Sequence, residues 1–472
     1  MSMSVLGEEV TAGLEFPPGF RWGVSTAAFQ IEGATTVDGR TDSIWDAFCR
    51  RPGAVVGGDT GDPAADHYHR FRDDVALMAE LGLGVYRFSV AWSRVRPDGG
   101  AVNPKGLDFY ERLVDALLER GITPWATLYH FDLPQALEED GGWANRDTAY
   151  RFAGFAEAAA ERLGDRVPFW STLNEPWCSA FLGYAKGIHA PGRQESRAAV
   201  ASAHHLLLAH GLGLAEIRRY APDAESGITL NLYPVRAEDE SSAADLDAAR
   251  RVDGLQNRLF LDPVLRGQYP DDLLADLEPF GFGDHVRDGD LELIGAPIDQ
   301  MGINYYRGYE VTGTLRPGVE PGGLEWVGAD GIGFVPDVAA SVTHSGWSVQ
   351  PDGLAETLVR VHREYPAVPL YVTENGAAYP DSMRPDGWID DVERVEFLAA
   401  HLRAAHAALA RGVDLRGFSY WSLLDNFEWA EGYSKRFGLV HVDYGSQVRT
   451  LKRSAHFYAQ VIRDNAVPGT PA

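Results

Sequence analysis

Cysteine is nearly missing: Cys49 and Cys178 are the only two in 472 residues. Two thiols cannot build a disulfide framework, and their scarcity favours a reducing compartment, so the cytoplasm is the expected location. Positive charge is also short, with 42 Lys and Arg against 68 Asp and Glu, a net charge of −26. Nucleic acid and anionic membrane are therefore poor partners, and the plain consequence of the charge is solubility. No apolar run is expected to approach the length of a membrane span. Residues 1–15 carry Glu8 and Glu9 and lack the continuous apolar core of a signal peptide. Glycine motifs for phosphate or dinucleotide binding are missing in the required form, so no nucleotide cofactor is expected.

What the chain does have is alternation. Strand-like apolar runs fall at Trp22–Ser25, Val85–Ser89, Pro124–Leu128, Phe169–Asn174, Ile228–Asn231, Ile298–Asn304, Leu370–Glu374 and Gly417–Trp421. Amphipathic stretches lie between them, among them Tyr68–Leu81, Leu107–Arg120, Ala149–Leu163, Ala198–Tyr220, Leu354–Glu364 and Val392–Arg411. Eight strands alternating with helices predict an α/β fold, a single (β/α)8 TIM barrel. No linker divides it. Gly308–Asp337, rich in Gly and Pro, is expected to be a long loop after the sixth strand. Residues 1–15 are expected to be a disordered tail, residues 16–463 the catalytic barrel and residues 464–472 a frayed end.

Two strings stand out: Ser171-Thr172-Leu173-Asn174-Glu175-Pro176 and Tyr371-Val372-Thr373-Glu374-Asn375-Gly376. Each carries a strand-like run to a Glu beside an Asn, then a breaker. A barrel places its chemistry at the C-terminal ends of its strands. Two carboxylates there can divide acid and base work between them.

These strings resemble the acid/base and nucleophile motifs of family-1 glycoside hydrolases, the retaining β-glucosidases. Further matches are F-x-W-G-V-S-T-A-A-F-Q-I-E-G-A (Phe20–Ala34), Y-R-F-S-V-A-W-S-R (Tyr86–Arg94), L-Y-H-F-D-L-P (Leu128–Pro134), N-Y-Y (Asn304–Tyr306) and W-S-L-L-D-N-F-E-W (Trp421–Trp429). The likeness runs from Phe16 to about Arg463, with the motifs in the family's order.

The resemblance implies the roles. Glu175 is the expected general acid and then base, and Glu374 the nucleophile, kept ionised by Arg87 and Tyr306. Asn174 is expected at the sugar 2-hydroxyl. Gln30, His130, Glu428 and Trp429 match residues for the outer hydroxyls, and Trp421 matches the platform under the ring. Asn231 and Asn304 match supporting polar positions more weakly, and Trp347 the wall of the leaving-group site. No metal or cofactor is implied. The expected partners are small β-glucosides and cello-oligosaccharides, with galactosides or fucosides as further substrates. Oligomeric state is not legible.

Taken singly, these residues have plainer explanations. His130 and Trp421 suit a core, and Arg87 suits a structural ion pair. His204, His205 and His210 on one helix, and His67 with His69, read as packing histidines. Cys178, three residues past Glu175, reads as a small buried hydrophobe. A 6-phospho-β-glycosidase is the nearest rival, kept open by Lys435 but opposed by a charged Glu428. A sugar-binding protein on an inactive barrel is opposed by the presence of both glutamates.

Overall fold

The structure, a computed structural model, describes residues 13–469. Eight parallel strands close into a barrel: β1 Arg21–Ser25, β2 Val85–Ser89, β3 Thr123–Tyr129, β4 Phe169–Asn174, β5 Glu225–Asn231, β6 Gln300–Asn304, β7 Leu370–Asn375 and β8 Leu415–Trp421. Each hydrogen-bonds to its neighbour in sequence, and β8 closes on β1. Each strand is followed by a helix on the outside: α1 His67–Glu80, α2 Pro104–Glu119, α3 Asp147–Leu163, α4 Ser196–Tyr220, α5 Ala243–Asp253, α6 Pro351–Glu364, α7 Val392–Ala410 and α8 Arg453–Asp464. The predicted strands and helices fall on these elements. Sequence reading missed α5 and α8.

The barrel has a closed floor and an open top. At the strand beginnings Val85, Trp125, Phe169 and Tyr371 form their own buried cluster. Trp125 lies 5.0 Å from both Phe169 and Tyr371, and the Arg21 guanidinium lies 4.8 Å above the Phe169 ring. Large side chains there plug the base, and polar ones above them leave room at the C-terminal ends.

Three expectations are corrected. Leu14–Glu15 pairs with Ala466–Val467, and Trp22 donates to Asn465. The two expected tails therefore tie each other down where they are described, and the rest of both lies outside the described residues. Gly308–Asp337 is not bare loop: Tyr309–Thr312, Glu320–Pro321 and Gly333–Phe334 join Val235–Ala237 in a four-stranded sheet. Finally, α4 is long and apolar enough to cross a membrane by length and composition, but 83% of its apolar window is buried inside the protein. It is a core helix, packed along α3. Its histidines have protein partners: His204 meets Tyr269 and Asp290, His205 the Trp143 carbonyl and His210 the Thr172 hydroxyl.

Candidate active site

Strand alternation alone would aim Asn174 and Glu374 wrongly. Thr172 of β4 faces outward to His210, so a period of two would send Asn174 outward as well. A register shift between Ser171 and Asn174 breaks the alternation. In β7, Tyr371 lies in the floor cluster and Thr373 donates to Asn304 inside the barrel, so Glu374 should point away. Shifts after Val372 re-aim it into the mouth. Glu175 then sits at φ 45°, a region that a non-glycine residue adopts only under constraint. Phe131 and Trp429 of the same cavity share it, at φ 74° and 48°.

Glu374 is held on both oxygens. Arg87 donates to Oε1 at 2.8 Å and the Tyr306 hydroxyl to Oε2 at 2.8 Å. Arg87 also donates to Asn174 Oδ1 at 2.6 Å, tying the two strand tips together. Glu175 receives weaker company: Asn304 Nδ2 donates to Oε1 at 2.8 Å and the Cys178 thiol to Oε2 at 3.2 Å. Cys178 is thus half-buried and bonded to Glu175, not the small buried hydrophobe expected. Burial, and then the negative charge of Glu175, push its thiol pKa far up, so it stays a neutral donor. Asn231 Nδ2 lies 3.7 Å from its sulfur.

These surroundings separate the two carboxyls. Burial, and then the charge of Glu374, push Glu175 up to about 7. Burial raises Glu374 as well, but it is opposed by the Arg87 charge and by both hydrogen bonds. Glu374 therefore gives up its proton first.

Beside the pair lies a polar and aromatic corner. Asn174 Oδ1 already accepts from Arg87 and Asn304, so its amide donates to His130 Nε2 at 3.0 Å. That assigns His130 the proton on Nδ1, which has no partner within the protein. Burial, and then the nearby Arg87 charge, hold His130 well below its usual range, so it is neutral. Gln30 Nε2 donates to Asn426, to the Phe427 carbonyl and to Glu428, which leaves its Oε1 without a partner. Buried polar atoms without partners mark places where a polar ligand belongs. His130 stacks with Trp421 at 5.5 Å and with Trp429 at 6.0 Å.

Glu428 differs from expectation. Burial, and then the charges of Glu374 and Glu175, push it up to about 8, so at neutral pH it is largely protonated. It can donate as well as accept. Lys435 is engaged elsewhere, donating to the His344 carbonyl at 2.9 Å.

All of this opens into a cavity of about 890 Å³ that Glu175 and Glu374 both line, with His130, Asn231, Tyr306, Trp347, Trp421, Glu428 and Trp429. Arg87, Asn174, Asn304 and Gln30 support these from behind. Trp347 packs 5.3 Å from Tyr306. Sequence reading missed the outer lining, Tyr233, Arg307, Tyr309 and Trp326. Only Arg307 carried a signal there, as a charge directly following N-Y-Y.

The family model described as "Glycosyl hydrolase family 1" matches residues 13–467. The thermostable beta-glucosidase B of Thermobispora bispora is 50% identical over 465 residues, covering 97% of this chain and 93% of that protein. The bifunctional beta-D-glucosidase/beta-D-fucosidase of Bifidobacterium breve is 48% identical over 465 residues, covering 96% and 99%. Among solved structures, a psychrophilic beta-glucosidase from Micrococcus antarcticus superposes with a TM-score of 0.93 at 51% identity, covering 97% of this chain and all of that one. A family 1 β-glucosidase from Thermotoga maritima, in complex with isofagomine lactam, gives 0.89 at 43% identity, covering 96% and 99%.

Proposed function

The chain belongs to glycosyl hydrolase family 1, and from that premise we propose how its residues share the work. The enzyme is a retaining exo-β-glycosidase of β-glucosidase type. The observation that carries the assignment of roles is the unequal holding of two carboxyls in one cavity: Glu374 by a cation and a hydroxyl, Glu175 by an amide and a thiol.

Glu374, ionised, attacks the anomeric carbon from the α face while Glu175 passes its proton to the departing glycosidic oxygen. The bond to the aglycone breaks and an α-glycosyl ester forms on Glu374. Esterification removes the negative charge that had raised Glu175. Glu175 then acidifies and takes a proton from water, which attacks the β face and releases sugar of retained configuration. Asn174, fixed by Arg87 and Asn304, offers its amide edge to the 2-hydroxyl. Gln30, His130, Glu428 and Trp429 take the outer hydroxyls over the Trp421 ring.

A carboxyl that can donate or accept at Glu428 tolerates either orientation of the 4-hydroxyl, so galactosides and fucosides are proposed beside glucosides. Cello-oligosaccharides are the proposed natural class, and the cytoplasm the proposed compartment, on the strength of the two free cysteines. A 6-phosphate would bring up to about two negative charges among three carboxyls, and is opposed whichever of them holds the proton. The test is a nitrophenyl panel. β-Glucoside should be cleaved, β-fucoside and β-galactoside measurably, and 6-phospho-β-glucoside not detectably. Preference for the phosphorylated sugar would overturn the role given to Glu428.

A further inference from the structure

Among the described residues, one cation of the cavity makes no hydrogen bond or ion pair to a carboxylate. Arg307 follows Tyr306 on the loop after β6 and is half-buried. Among the described residues its hydrogen bond is to the Tyr309 hydroxyl, at 3.2 Å. Its charge rests on ring faces instead, 5.0 Å from the Tyr309 centroid and 5.6 Å from that of Trp347. Most of its N–H donors are thus left for something in the cavity. Nearby acids do not bond to it: Glu325 is held by Lys186 at 2.8 Å, Asp337 accepts from Gln350, and Glu320, exposed at the rim, acts on it only through its charge.

The position is on the leaving-group side. The sugar corner is built from the loops after β1, β3 and β8, whereas Arg307, Trp326 and Trp347 come from the segment between β6 and α6. Around Arg307 the walls are aromatic: Tyr233 lies 5.5 Å from Tyr309, and Trp326 lies 5.6 Å from it. Flat walls with one free guanidinium suit a flat ring bearing an anion, which an arginine fork binds through two parallel hydrogen bonds.

Resting on the β-glucosidase reading above, we propose that Arg307 is a specificity residue of the leaving-group site, selecting β-glucosides whose aglycone is an aromatic carboxylate. The overall charge of −26 repels such an anion at a distance. Salt confines that repulsion to about 8 Å at physiological strength, while contact with Arg307 is local.

The test compares para-carboxyphenyl β-glucoside with its neutral para-carbamoylphenyl analogue, in the unmodified enzyme and in Arg307→Gln and Arg307→Lys. Leaving-group chemistry cancels when the ratio of the two kcat/KM values is compared between enzymes. That ratio should fall roughly tenfold in Arg307→Gln, mainly through KM, the size of one charge-assisted contact at a half-buried site. Arg307→Lys should retain part of it. An unchanged ratio would overturn the proposal. Should Arg307→Gln not fold, inhibition of the unmodified enzyme decides: para-hydroxybenzoate should bind more tightly than para-hydroxybenzamide, and equal inhibition would overturn the proposal. Failure of the unmodified enzyme on both glucosides and on para-nitrophenyl β-glucoside would instead overturn the glucosidase reading, and this one with it.

Discussion

Glu175 and Glu374 are chemically identical side chains that their neighbours make different. Only Glu374 has a cation against it, so only Glu175 keeps its proton near neutrality. The general acid must be protonated to act. With Glu175 pushed up to about 7, kcat/KM should fall as pH rises through that value. Glu175→Gln should flatten this basic limb for an activated substrate. It should also cut cellobiose hydrolysis by about 10²–10⁴-fold, the usual contribution of a general acid, while release of dinitrophenol falls far less. Equal losses on the two substrates, or an unaltered basic limb, would count against the role. The residue identities were legible because N-E-P and T-E-N-G are local strings. The Cys178 thiol on Glu175 was not: it depends on the tight turn that brings the Cys178 N–H to the Glu175 carbonyl at 3.0 Å, with Glu175 itself at φ 45°, a conformation that the string does not announce.

The strand tips do the aiming. Eight strands and most helices could be read from apolar periodicity, because every barrel strand is buried along nearly its whole length. The register shifts in β4 and β7 could not, since they depend on pairing with neighbours far away in sequence. The sheet hidden in Gly308–Asp337 escaped for the same reason, its strands being two to four residues long. Gly376 tests the importance of the β7 tip. A Cβ there would lie 1.8 Å from the Trp421 carbonyl oxygen, so the ends of β7 and β8 would have to part. Gly376→Ala should leave a folded protein whose kcat is lower by roughly 10²-fold, as expected for displacement of a reacting group by about 1 Å. Far-UV circular dichroism checks the fold and steady-state kinetics the rate. Wild-type kcat would show that the tip tolerates the shift.

The molecule is closed by its C-terminal third. Lys452, fully buried just before α8, bridges Asp425 at 2.7 Å and Asp381 at 2.5 Å. Arg436 joins Asp425, and Arg394 joins Asp381 and Asp391. This network binds the loops after β7 and β8 to the last helix, away from Glu175 and Glu374. Lys452→Met removes one cation and leaves two acids buried with less compensation. It should cost about 3–5 kcal/mol of stability, read from urea unfolding, while kcat of the folded enzyme changes little. A loss under ~1 kcal/mol would mean that water or relaxation compensates the acids.

The claim on which the rest depends is that Glu374 forms the bond to sugar. Glu374→Gly removes the nucleophile and opens space on the α face. Incubated with dinitrophenyl β-glucoside, the variant should be nearly inert, and added azide should restore turnover. The product, resolved by proton NMR, should be α-glucosyl azide, because the anion attacks where the carboxylate stood. A β-glucosyl azide, or full activity without azide, would contradict the account.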